Sequence, residues 1–264
     1  MRMKILALAL LGAGSLFGET LLQIAQPADF VQKNRVGKTA DALTIKGKSV
    51  IVYSRKAVKV DPAKKYRLSM DVRYPGEPVN SLFTGFVPFA KNGRLITSAS
   101  INTYANSGTE LAEDAKAGDT VLKLKNAQKW LNSTPSSGIA FNVKDDFSDL
   151  PNYEVLLIKK GSIRKAGEVW ELELVKPLTK AYPAGCKVRQ HIYAGTYLYS
   201  KIARKLDAKN WVNVSGEITG IQKCTRSDKT FWPATDSVRV LIMTSSSSPE
   251  SVLEVKNIKL EEVK

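Results

Sequence analysis

Apolar side chains recur along this chain with the two-residue period of strands, and no segment carries a long i, i+3, i+4 apolar stripe. The clearest case is 66–73, where Tyr66, Leu68, Met70 and Val72 alternate with Arg67, Ser69, Asp71 and Arg73. That alternation predicts a strand with one buried and one wet face. Comparable short runs occupy 20–24, 42–45, 49–53, 81–89, 195–200, 211–218, 231–243 and 251–260. Residues 93–104 read as a turn followed by a further strand. Between the runs stand breakers such as Asp61-Pro62, Pro75-Gly-Glu-Pro78 and Lys91-Asn-Gly93. Short strands punctuated at this interval predict an all-β sandwich or barrel.

The stretch 108–190 interrupts the pattern. Residues 93–104 and 195–200 read as strands that belong next to each other in one sheet, yet the chain between them has its own β rhythm at 121–124, 155–158, 169–174 and 177–185. The expectation is a sandwich split into 19–107 and 191–264, with a nested β domain over 108–190. The last strand is expected to lie beside the first strands of the mature chain.

At the N-terminus, Met1-Arg-Met-Lys4 precedes an apolar run over 5–11 and then the small residues Gly12-Ala-Gly-Ser15 and Gly18. This is the pattern of a signal peptide over 1–18, and it predicts a secreted or periplasmic protein. The run is too short to cross a hydrocarbon core of about 30 Å as a helix, and no later segment reads as a membrane span. No cysteine stands at the end of the run, so lipid attachment to a mature N-terminal cysteine is not expected.

Lys and Arg total 40 against 25 Asp and Glu, a formal charge of +15. Two explanations stand side by side: a solvated, Lys-rich surface that resists edge-to-edge association, or attraction to a polyanion such as an acidic polysaccharide. Nucleic acid is not an expected partner, because the chain looks exported and lacks the patterns of nucleic-acid modules. The two cysteines, Cys186 and Cys224, are either a disulfide joining the two units or free thiols, and spacing does not decide between them.

The order of elements resembles the jelly-roll carbohydrate-binding modules of the galactose-binding-like superfamily. The resemblance rests on Asp61-Pro-x-x-x-Tyr66-x-Leu68-Ser69, the Lys91-Asn-Gly93 hairpin, Trp211-x-x-x-x-Gly216-x-Ile218, the Phe231 turn before Val238-Arg-Val-Leu241, and the closing strand over 253–260. It covers roughly 20–104 and 195–262, and implies a jelly-roll β-sandwich that binds carbohydrate. Where the family carries an Asp for a structural calcium, this chain reads Lys256-Asn257-Ile258, so the family's calcium is not expected to carry over and no cofactor is expected. The stretch 109–124, with its Ala117-Gly-Asp-Thr120, resembles small β modules of phage structural and secreted bacterial proteins, which act as adaptors or spacers.

Catalytic signals are weak. A single histidine, His191, excludes a His-Glu-x-x-His zinc site, and its place in Val188–Tyr193 reads as a structural histidine at the seam between the two units. Asp145, Asp146 and Asp149 form an oxygen-rich loop of the sort calcium uses, without an EF-hand pattern. Glu168, Glu171 and Glu173 read as a solvated strand face. No enzyme is expected, although a polysaccharide lyase using Tyr and Arg or Lys needs no motif that the sequence lacks. For carbohydrate, the candidates are aromatic and cationic. Tyr197 and Tyr199 flank Leu198, so both face away from the core if Leu198 faces in; Tyr104, Arg94, Arg73 and Trp232 could join them. The leading expectation is therefore a secreted, non-catalytic binder of a polysaccharide, including an acidic one. The alternative is an envelope structural or assembly protein that uses the inserted domain for protein contacts.

Overall fold

The computed structural model describes residues 18–264, except 77–80, 194, 196, 205, 207–209 and 226–228. All but the last residue of the predicted signal peptide, and Glu77 and Pro78 of the predicted turn, lie outside that description. The described chain is all β apart from short helical turns. Before the insertion come β1 (Glu19–Ile24), β2 (Val36–Lys38), β3 (Leu43–Lys46), β4 (Ser49–Tyr53), β5 (Val58–Lys59), β6 (Lys65–Arg73) and β7 (Ser81–Phe89), then helix α1 (Ser98–Ile101). Within it lie β8 (Thr109–Glu110), β9 (Val121–Leu124), β10 (Ser137–Phe141), β11 (Val155–Leu157), β12 (Arg164–Ala166), β13 (Val169–Glu173) and β14 (Lys187–Ile192). After it follow β15 (Leu198–Arg204), β16 (Val212–Thr219), β17 (Ser237–Ser245) and β18 (Val252–Val263).

Two antiparallel sheets form the outer sandwich. One has the order β16-β6-β18-β3-β2 with β1 also on β18; the other has the order β15-β7-β17-β4 with β5 on β17. The terminal strands are neighbours, Ile24 opposite Ile258 and Leu22 opposite Leu260, as the sequence predicts. The predicted alternation in β6 holds: Tyr66, Leu68, Met70 and Val72 are buried while their neighbours are half-exposed. The Asp61-Pro signature has a physical role. The Asp61 carboxylate accepts the Ala63 amide at 3.0 Å to form the turn, and the Asp61 amide donates to the Tyr66 phenol oxygen at 2.7 Å. Tyr66 then meets Phe231 edge to face across the core, with ring centroids 5.7 Å apart.

Two glycines let β15 close one edge of the sandwich. A Cβ on Gly85 would lie 2.1 Å from the Leu198 carbonyl oxygen, and one on Gly216 would lie 2.4 Å from that of Ser200. Both obstacles are backbone, so no rotamer change relieves them.

Residues 109–192 build a second core. The sheets β11-β10-β14-β8 and β12-β13-β9 pair only among themselves, and bridges at Leu111–Leu124 and Ile158–Leu174 tie the two together. Leu122, Leu124, Ile139, Phe141, Leu172, Leu174 and Val188 pack between them, apart from the sandwich core. Phe141 stacks on Tyr182 at 4.0 Å.

The neck of this unit differs from the expectation. Residues 93–104 do not form a strand beside 195–200; the sheet partner of β15 is β7, with Leu198 opposite Phe86 and Ile202 opposite Phe83. Thr97-Ser-Ala-Ser100 instead caps α1, the Thr97 amide bonding the Ser100 hydroxyl at 3.2 Å while that hydroxyl donates to the Thr97 carbonyl at 2.7 Å. The helical turn lets Ile96 and Ile101 both reach the sandwich core, where each is fully buried. The chain then enters and leaves the inserted unit side by side: Thr103 bridges His191, and the Tyr104 amide bonds the Gln190 carbonyl at 2.8 Å.

Candidate functional site

The five-stranded sheet has two apolar faces. Val50, Val52, Leu82, Phe86, Leu198, Val238, Val240 and Ile242 point into the sandwich core. The alternate residues point away from it: Ile51 and Tyr53 on β4, Phe83, Val87 and Phe89 on β7, Leu241 and Met243 on β17, Tyr199 and Ile202 on β15, and Tyr197 just before β15. Register sets them in rows across the sheet. Ile51, Met243, Phe83 and Ile202 form one row, and Tyr53, Leu241, Gly85 and Tyr199 the next.

We call this outer face the trough; the residues at its middle are covered. Leu241 is 0% exposed, Val87 4% and Tyr199 7%, although all three point away from the main core. The cover comes from the larger side chains of the same face that pack against them. Tyr53 and Tyr197 belong to opposite sides of the sheet, whose edge strands would lie about 14 Å apart if flat. Burial raises the pKa of the Tyr197 phenol, and the Tyr53 phenol adds to the rise. Phe83 leans on Tyr199 with ring centroids 5.2 Å apart and planes tilted by 47°. Tyr53, Phe83, Phe89, Tyr197 and Met243 remain half-exposed along the trough.

One cation lies in it. Arg239 shares the outward face of β17 with Leu241 and Met243. Its guanidinium carbon is 5.4 Å from the Phe89 ring centre and 5.9 Å from that of Tyr53. β7 and β4 flank β17, so an aromatic ring stands on either side of the cation. Its Nε is buried and has no hydrogen-bond partner among the described residues.

Of the six residues proposed from sequence, two belong here. Tyr197 is on the rim and Tyr199 in the floor, with Leu198 facing the core as the alternation requires. The other four lie elsewhere. Trp232 is 0% exposed inside the sandwich, because the turn at Phe231–Ala234, with Ala234 at φ 60°, drives both aromatics inward. Arg73 projects from the outer face of the other sheet, where it pairs with Glu254 at 2.5 Å. There Arg73 at 4.6 Å and Lys256 at 4.0 Å hold the half-exposed Trp211 ring; Val214 and Ile218 fill the core side of β16. Arg94 lies over the Tyr153 ring at 3.7 Å, where the linker turn meets the inserted unit. Tyr104 lines a separate cavity of about 430 Å3 at the neck, together with Asn106, Lys144, Phe147, Arg189 and Cys224. Tyr53, Phe83, Phe89 and Arg239 are the trough residues sequence reasoning missed.

The neck is held by a buried polar network. Arg189 and Asp149, each 6% exposed, pair at 2.8 Å, and the guanidinium covers the Phe147 ring at 4.8 Å. His191 is 0% exposed and bonds the Ala99 carbonyl through Nδ1 at 2.7 Å. A carbonyl only accepts, so Nδ1 carries the proton, and Nε2 accepts from Arg189 at 3.4 Å. Burial, aided by the neighbouring guanidinium and opposed by the Ala99 bond, lowers the His191 pKa from 6.5 to about 4. This is a neutral structural histidine at the seam. Gln190 saturates its amide beside it, on Leu131 at both ends and on Ser137.

The carboxylates considered for calcium are engaged in other ways. Asp145 pairs with Lys187 at 2.6 Å, Asp146 accepts the Ser148 amide at 3.0 Å, and Asp149 holds Arg189. Among the described residues no group of three or more His, Cys, Asp or Glu is placed to hold a metal. On the closing strand Asn257, at φ 53°, donates to Asp71 at 2.7 Å. Asn213 bonds the other oxygen of that carboxylate at 2.9 Å, and the two bonds lower the Asp71 pKa. Cys186 and Cys224 are free thiols, the first buried in the inserted core and the second half-exposed at the neck. No helix among the described residues is long and apolar enough to cross a membrane.

No family model matches this chain, and no curated protein does. A solved structure titled as "a putative sugar binding protein" from Bacteroides thetaiotaomicron aligns over 92% of this chain and 94% of its own, at 9% identity and a TM-score of 0.25. A score that low carries neither fold nor ligand from one chain to the other; the all-β assignment stands on the sheets and cores themselves.

Proposed function

We propose that this chain is an exported, non-catalytic carbohydrate-binding protein whose ligand lies along the trough of the five-stranded sheet. The observation that carries the proposal is the set of half-exposed aromatic residues, Tyr53, Phe83, Phe89 and Tyr197, over a buried apolar floor on a face that the core does not need. Pyranose rings present C–H faces that stack on such side chains, while phenols at the rim meet hydroxyls. The sandwich supplies this face on paired strands, so the rings are held in place before a ligand arrives. The surplus of basic residues over acidic ones, 40 against 25, favours acidic polysaccharides among the ligands.

The test is affinity electrophoresis through gels cast with neutral and acidic polysaccharides. Retardation of the wild-type protein by at least one glycan is expected, with Tyr53→Ala and Tyr197→Ala each reducing it severalfold. Absence of retardation in every gel, or retardation that both variants leave untouched, would refute the proposal. A protein-contact role for the inserted unit is the second possibility. Its exposed apolar residues, Val121 and Val175, are a small patch for a stable interface, which favours the trough.

A further inference from the structure

We infer that Arg239 is the receptor for a ring carboxylate, so that the trough selects uronic-acid polysaccharides over their neutral counterparts. The inference rests on the carbohydrate reading of the trough and adds to it the chemistry that decides which glycan is held. Four other arginines, Arg67, Arg73, Arg164 and Arg189, each hold a carboxylate of this chain. Among the described residues Arg239 holds none: its contacts are the faces of Phe89 and Tyr53, and its buried Nε–H lacks an acceptor. The residue is half-exposed, so its charge is placed to meet an anion brought by a ligand.

The surroundings say which anion. Nε is covered, but the two terminal Nη groups form an edge of the guanidinium that also matches the two oxygens of a carboxylate in parallel bonds. Rings stand on both flanks of the cation, and their half-exposed faces can stack on the sugar that carries the carboxylate. A uronic acid presents both parts at once, a C–H face for the aromatics and a carboxylate at the ring's edge. The scattered surface lysines offer only a diffuse attraction that salt screens; Arg239 offers a geometric one.

The test compares a polyuronate with the same polymer after its carboxyl groups are reduced to alcohols, by titration calorimetry on the full chain at moderate salt. A sulfated galactan and its desulfated form make a third and fourth arm. Wild-type protein is expected to bind the polyuronate at least tenfold more tightly than the reduced polymer. Arg239→Gln should abolish that difference while binding the reduced polymer within about threefold of wild type, and Arg239→Lys, which keeps the charge without the fork, should fall between. Equal wild-type affinity for the two polymers overturns the inference and leaves the carbohydrate proposal standing. So does preference for the sulfated galactan, or equal loss of both polymers in Arg239→Gln with Arg239→Lys unchanged from wild type. Should Arg239→Gln not fold, the wild-type comparison and Arg239→Lys decide alone. Wild-type binding to none of the four glycans is the separate outcome that removes the carbohydrate proposal itself.

Discussion

Acid should weaken this protein through one residue at the neck. His191 is fully buried and neutral, donating from Nδ1 to Ala99 and accepting at Nε2 from Arg189. Protonating Nε2 would replace that acceptor with a second cation beside a guanidinium already committed to Asp149. The sign follows from linkage. The unfolded chain takes up the proton near 6.5, the folded one only near 4, so between those values the unfolded state binds more protons. Stability from this residue is fully present above about pH 7, declines as pH falls through 6.5, and is gone by about 4. At about 1.4 kcal/mol for each tenfold difference in proton affinity, the total is on the order of 3 kcal/mol. The assay is urea unfolding from pH 4 to 7.5 of wild type and His191→Asn, whose amide can still donate to Ala99. Other groups titrate in both proteins, so the informative quantity is the difference between them. Wild type should be the more stable at pH 7.5 and should lose most or all of that advantage by pH 4. A difference independent of pH would refute the assigned neutral state.

Four further outcomes are expected. Gly85→Ala should destabilise by about 2 kcal/mol or more in denaturant melts, because its Cβ would meet the Leu198 carbonyl oxygen at 2.1 Å. Asp149→Asn should cost about 3–5 kcal/mol by leaving Arg189 buried without its partner, and replacing both by apolar residues should cost less. In native protein alkylated with iodoacetamide, mass spectrometry should find Cys224 modified well before Cys186; equal rates would contradict the placement of Cys186. Residues 108–192 expressed alone should give dispersed amide resonances, since their two sheets take no strand from the sandwich; a collapsed spectrum would make the unit dependent on the sandwich.

How much of this was legible in the sequence depended on contrast between faces. β6 announced itself because Arg67, Ser69, Asp71 and Arg73 stay wet while their neighbours are buried. β17 was found as a strand, but its two faces were not told apart, since Val238, Val240 and Ile242 fill the core while Leu241 and Met243 line the trough. With both faces apolar, a period of two locates a strand without saying which side is the site. That is why Tyr53, Phe83, Phe89 and Arg239 were missed, although a single Arg between valines was a usable signal. Tyr197 and Tyr199 were found because the intervening Leu198 fixed their direction. The seam histidine was readable from its place where the chain returns to the sandwich. The 93–104 segment was misread because Thr97 and Ser100, which close a helical turn, look like ordinary polar positions of an alternating strand. Arg73, Arg94 and Tyr104 were grouped by residue type, and only the sheet order separates them.

The most direct measurement of the trough's role is amide and methyl chemical-shift mapping of the labelled protein titrated with short polyuronate fragments. Shifts should concentrate on Ile51, Tyr53, Phe83, Phe89, Tyr197, Arg239 and Met243. Shifts confined to the neck cavity around Tyr104, to the Trp211 face or to the inserted unit, or no shifts with any glycan, would contradict it.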